Sequence, residues 1–134
     1  MRAINHLAVL ATVLLQQVLG FIWYHWLFGS AWLEGLGMTP EEMRGRSWRF
    51  AVAILCGFLS SYGLAWLLAA TSRRGWAEGL KLGLVVGVAF AGSAVLLHYA
   101  FIPRIWPAAP IDAGVTVAGA ALTGLVLGAW PKKR

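Results

Sequence analysis

Residues 82–102 read LGLVVGVAFAGSAVLLHYAFI, a run without a single Asp, Glu, Lys or Arg. At 1.5 Å per residue a helix needs about 20 residues to cross a hydrocarbon core of roughly 30 Å, so this run has the length of one crossing. Three more runs share the property: Leu7 to Phe28, Phe50 to Ala70 and Ala113 to Trp130. Within hydrocarbon each backbone N–H and C=O must be paired internally, and membrane strands would appear as short alternating segments instead of continuous apolar ones. The sequence therefore predicts an all-α integral membrane protein, a single four-helix transmembrane bundle over residues 1–134.

Composition agrees with that reading. The chain is 60% hydrophobic and only 12% charged, and a soluble domain of this size has too little interior to hide so much apolar surface. The net charge of +6 does not indicate nucleic acid, because every Lys and Arg lies outside the four runs, where basic residues set topology and meet lipid headgroups. The lone Cys56 permits neither an intrachain disulfide nor a cysteine metal cage and is expected as a small buried thiol. The first run is longer than the apolar core of a secretory signal. Trp23-Tyr24-His25-Trp26 looks like an interfacial anchor, so the run is read as a mature helix.

Four spans put both ends of the chain on one side. Arg2, Arg73, Arg74, Lys81, Lys132, Lys133 and Arg134 fall on that side, against Arg44, Arg46, Arg49 and Arg104 on the other. The positive-inside bias then predicts a multi-pass protein of the cell (inner) membrane with both termini cytoplasmic. Trp23, Tyr24, Trp26, Trp32, Trp48, Tyr99 and Trp106 gather toward the outer side, with Trp66, Trp76 and Trp130 toward the inner, as expected of an aromatic belt. In the first loop, Thr39-Pro40-Glu41-Glu42 matches a capping box, which predicts a short interfacial helix. Ahead of it, Trp32, Leu33, Leu36 and Met38 suggest a segment lying in the interface. Pro103 stops the third helix, Pro103 to Pro110 forms a stiff hairpin, and Asp112 reads as a favourable charge at the start of the fourth helix rather than a proton carrier.

Inside the membrane the clearest pattern is small residues four apart, a glycine-zipper spacing. Gly79, Gly83, Gly87 and Ala91 mark the third helix, Thr116, Ala120, Gly124 and Gly128 the fourth, and Ala53, Gly57, Ser61, Ala65 and Ala69 the second. Such stripes let backbones approach where hydrophobicity gives helices no preference for each other; bundle packing is the first reading and a homo-oligomer contact the second. The first helix carries a more polar stripe, Ala8, Thr12, Gln16, Gly20 and Tyr24, and at least one of Gln16 and Gln17 must face the bundle.

The candidate ligand-binding residues are His25, His98, Trp23, Tyr24 and Tyr99. The first and third helices run the same way, so both imidazoles fall near their outer ends, beside aromatic rings. Two imidazoles without a third ligand make a poor metal site, and neither metal nor cofactor is assigned. No charge-free run contains an acidic residue of the kind that drives proton-coupled exporters, and no catalytic constellation is visible.

Several segments resemble the bacterial membrane proteins grouped as domain-of-unknown-function family 1761. These are Asn5-His6-Leu7-Ala8-Val9-Leu10, Leu19-Gly20-Phe21-Ile22-Trp23-Tyr24, Leu27-Phe28-Gly29-Ser30-Ala31-Trp32, Gly37-Met38-Thr39-Pro40-Glu41-Glu42-Met43 and Ile111-Asp112-Ala113-Gly114. The resemblance covers nearly the whole chain and implies four helices and no known activity. His25 and Asp112 depart from it, standing where the family usually has a small polar residue and Asn. The expected role is a non-enzymatic pore, carrier or accessory subunit, lipid-embedded and self-associating. The rival is a cofactor or lipid-headgroup site at the outer aromatic–His cluster.

Overall fold

The computed structural model describes residues 3–131, so Arg2, Lys132, Lys133 and Arg134 of the topology argument lie outside the described residues. Helix α1 (His6–Phe21) continues into a π-helical turn, Ile22–Leu27. The connection that follows holds two short helices, α2 (Gly29–Leu36) and α3 (Pro40–Met43), and leads to α4 (Trp48–Ala70). Helix α5 (Trp76–Val86) passes through a second π turn, Gly87–Gly92, into α6 (Ser93–Ala100). A 3-10 turn at Pro103–Ala108 then feeds α7 (Ala109–Ala129). Four of the resulting rods are long and apolar enough to cross a membrane: His6–Leu27, Trp48–Ala70, Trp76–Ala100 and Pro103–Ala129.

Local chemistry sets the ends. The Asn5 side-chain oxygen accepts from the Leu7 and Ala8 amides at 3.2 and 3.3 Å, capping α1, and its amide nitrogen donates to the Trp130 carbonyl at 3.1 Å, which ties that cap to the end of α7. Gly37 closes α2 at φ +66°, a left-handed conformation that a side chain would strain. The capping box of α3 forms as the sequence predicts, with the Thr39 amide donating to the Glu42 carboxylate at 2.7 Å. Helix α7 begins at Ala109, earlier than the charge-free run from Ala113, so Asp112 lies within a helix of membrane-crossing length.

The packing inverts that of a soluble protein. Buried positions are small or weakly polar, among them Ala8, Val9, Thr12, Ser61, Ala65 and Thr123, while Phe50, Leu59, Phe90 and Phe101 are each more than two-thirds exposed. Contiguous apolar surface on that scale suits a hydrocarbon solvent. Cys56 belongs to the outward surface, correcting the expectation of a buried thiol, because on α4 it is Gly57 and Ser61 that turn inward.

Helix α7 is central, with α5 lying antiparallel along it so closely that backbone meets backbone. A Cβ added to Gly79 would come within 3.0 Å of Gly128 Cα, one on Gly83 within 3.0 Å of Ala121 Cα, and one on Gly87 within 3.1 Å of Val117 Cα. Gly124 and Gly128 meet Gly83 and Gly79 at 3.0 and 2.9 Å by the same measure. On the other flank, α1 and α4 join α7 through a hydrogen-bonded core at mid-span. Thr12 Oγ1 lies 2.9 Å from Ser61 Oγ, and Gln16 Nε2 donates to Ser61 Oγ at 3.0 Å and Thr123 Oγ1 at 2.9 Å. Gln16 thus faces the bundle, and Gln17, also half-buried, lies against Gly57 of α4. The Gln16 side chain links three spans where unpaired polar groups are costly.

Candidate functional site

The end of the bundle away from Ala3 and Pro131 is shaped by the two π turns. In the first, the Phe28 amide donates to the Trp23 carbonyl at 2.8 Å, a five-residue spacing, and Gly29 follows with the Tyr24 carbonyl where a Cβ would stand. The second repeats the device: a Cβ on Gly92 would meet the Gly87 carbonyl at 2.9 Å. Each wide turn inserts about one residue, and one residue of an α-helix is about 100° of rotation, so side chains beyond it face a new direction.

Tyr24, inside the first turn and in line with Thr12, Gln16 and Gly20, and Tyr99, beyond the second turn, both reach α7. Their hydroxyls donate to Asp112, Tyr24 to one carboxylate oxygen and Tyr99 to the other. Asp112 stands in the first turn of α7, where the helix dipole favours negative charge, and its backbone carbonyl accepts from Thr116 Oγ1 at 2.7 Å. Trp23 Nε1 donates to the Ile111 carbonyl at 3.0 Å, and its ring covers Gly114, leaving no room for a larger residue there. Helix α2 closes the cluster from outside. Its Gly35 packs on the backbone of Pro107 and Ala108, and its Trp32 lies against Tyr24 with ring centres 4.8 Å apart. Trp32 Nε1 is buried and has no hydrogen-bond partner among the described residues.

Of the residues singled out from sequence, Tyr24 and Tyr99 converge on one carboxyl group and Trp23 braces the same helix start. Neither imidazole bonds to that carboxyl group among the described residues. His25 is exposed and stacks on Phe21 at 4.9 Å, and His98 is exposed with its ring edge-on to Tyr99 at 6.1 Å. No hydrogen bond or ring contact joins His25 to His98 among the described residues, and no group of three or more metal-ligating side chains occurs there. Sequence reasoning set Asp112 aside as a helix-start charge. It is that, and it is also the point where three spans meet. The available signal was a carboxylate beside a charge-free run at the depth of two tyrosines.

Residues 7–128 match the family model described as a protein of unknown function (DUF1761), and the chain belongs to that family. No curated protein and no solved structure matches it.

Proposed function

We propose that this member of an uncharacterised membrane family is a non-enzymatic carrier or accessory subunit whose working group is the Asp112 carboxyl. The observation that carries the reading is Asp112 held between the Tyr24 and Tyr99 hydroxyls within a membrane-crossing helix. An ionisable side chain at such depth is costly to keep and marks a proton or ion pathway by default. One carboxyl with two hydroxyl donors suits reversible binding of a proton or a cationic group. An open pore is the weaker form of the reading, because Thr12, Gln16, Ser61 and Thr123 satisfy one another at mid-span. The inner membrane with both termini cytoplasmic is the location this role implies, and self-association falls to the outward faces, since Gly79, Gly83 and Gly87 are taken up by α7.

Proteoliposomes carrying a pH-sensitive dye test the proposal. Wild-type protein is expected to move protons when a cationic amine is added outside, and Asp112→Asn, which keeps the shape of the site, to lose that movement. Flux unchanged in Asp112→Asn overturns Asp112 as the working group, and unselective leakage of the dye revives the pore.

The second reading is a cofactor or lipid-headgroup site around Trp23, Tyr24, His25, His98 and Tyr99. It is favoured by one observation, the Trp32 indole N–H left buried without an acceptor against Tyr24. A visible absorption band or a retained headgroup in protein purified from native membranes would promote it.

A further inference from the structure

At the opposite end of the bundle, where both termini lie, α1, α4 and α7 leave a cleft of about 60 Å³. Its floor is apolar, formed by Ala65 and Leu68 of α4 with Leu127 of α7, and its mouth carries Asn5, Arg73 and Arg74. Arg73 is oriented from one side, with an NH1 donating to Glu78 at 2.6 Å. Glu78 also accepts from Lys81 at 2.9 Å, so its charge is already answered and the pair of guanidiniums keeps a positive balance. We infer that this cleft binds the headgroup phosphate of an anionic phospholipid at Arg73 and Arg74, the acyl chains lying outside it on the lipid-facing surface of the adjoining spans.

Three features favour that occupant. A planar guanidinium presents paired donors that match phosphate oxygens, and two adjacent guanidiniums repel the cation of a choline headgroup. A cleft of about 60 Å³ has room for a phosphate-sized group and not for a folded polar ligand. The cleft lies at the end of membrane-crossing helices whose outward faces are apolar, so fatty chains continuing from a phosphate bound there have those faces to lie along.

Native mass spectrometry of the full chain from mild detergent, with chain-matched phosphatidylglycerol and phosphatidylcholine added in equal amounts, tests the inference. Wild type should retain phosphatidylglycerol in preference, and Arg73→Gln with Arg74→Gln should weaken retention by roughly five-fold per arginine removed. Ala69→Phe, at another wall of the cleft, should block retention with both arginines intact, so it decides the matter if the arginine variant misfolds. Equal retention of the two lipids overturns the inference, as does undiminished phosphatidylglycerol in either variant. Displacement of the lipid by millimolar inorganic phosphate also overturns it and makes the cleft a free-phosphate site.

Discussion

Hydrogen bonds between spans set the behaviour of single residues here, because lipid offers a freed polar group no partner. Gln16 makes two of them, to Ser61 and Thr123. Interhelical bonds of this kind average about 0.6 kcal/mol, so Gln16→Leu should cost about 1 kcal/mol, while Gln17→Leu, for which no hydrogen bond is seen among the described residues, should cost less. Unfolding titrations in mixed micelles read the difference, and equal costs would show that the three-helix junction contributes nothing. At the Asp112 end of the bundle, Tyr24→Phe and Tyr99→Phe should be non-additive, since both hydroxyls serve the Asp112 carboxyl, with a coupling of about 0.5 kcal/mol or more. His25→Gln and His98→Gln should add simply, because each ring rests on a different aromatic neighbour. Running the two cycles on one thermal-stability assay separates a shared site from two interfacial anchors, and strong coupling of the histidines would reverse the assignment.

Among the elements, the α5–α7 pair is held by surfaces with almost no side chains. Gly83→Leu should force the backbones apart and cost several kcal/mol or abolish folding, because the added Cβ already meets the Ala120 carbonyl and Ala121 Cα. Val85→Leu should be nearly neutral, as Val85 is 57% exposed and adds bulk only toward lipid. Elution volume and thermal midpoint of the two variants decide it: equal behaviour would mean that the glycine face is not a contact. The π turns have a further consequence for how much of this protein is legible in sequence. The four helices are legible because hydrocarbon leaves the backbone no alternative, and the α3 cap because its chemistry is local. The Tyr24–Asp112–Tyr99 cluster is legible only in part: Tyr24 continues the stripe of Thr12, Gln16 and Gly20, whereas Tyr99 lies beyond the wide turn at Gly87–Gly92, which changes the phase of the third span. Hydropathy carries no mark of that phase, and Gly29 and Gly92 look in sequence like any other small residues. Asp112 itself is legible as a charge in the first turn of the fourth helix, and its partners are not, because they come from two other spans.

For the whole molecule, orientation in the bilayer rests on a charge balance that the tail can tip. Arg2, Arg73, Arg74 and Lys81 on one side are matched in number by Arg44, Arg46, Arg49 and Arg104 on the other, so Lys132, Lys133 and Arg134 supply the entire excess. Positive charge close to the ends of the spans resists translocation, and charges added at a C-terminus are able to reverse a topology. A reporter fused at the C-terminus should therefore read cytoplasmic in the wild type, and one inserted between Gly35 and Met43 should read external. Replacing Lys132, Lys133 and Arg134 with Gln removes the bias without touching a membrane-crossing helix, and the population should divide between the two orientations. Arg44→Gln with Arg46→Gln in the same background should restore a single orientation, because the balance again favours the terminal side. If the tail variant keeps one orientation unchanged, the bias is set by another feature, such as the run Trp23-Tyr24-His25-Trp26 at the end of the first span. An external tail together with a cytoplasmic first connection would invert the arrangement, and with it the side of the membrane toward which Asp112 lies.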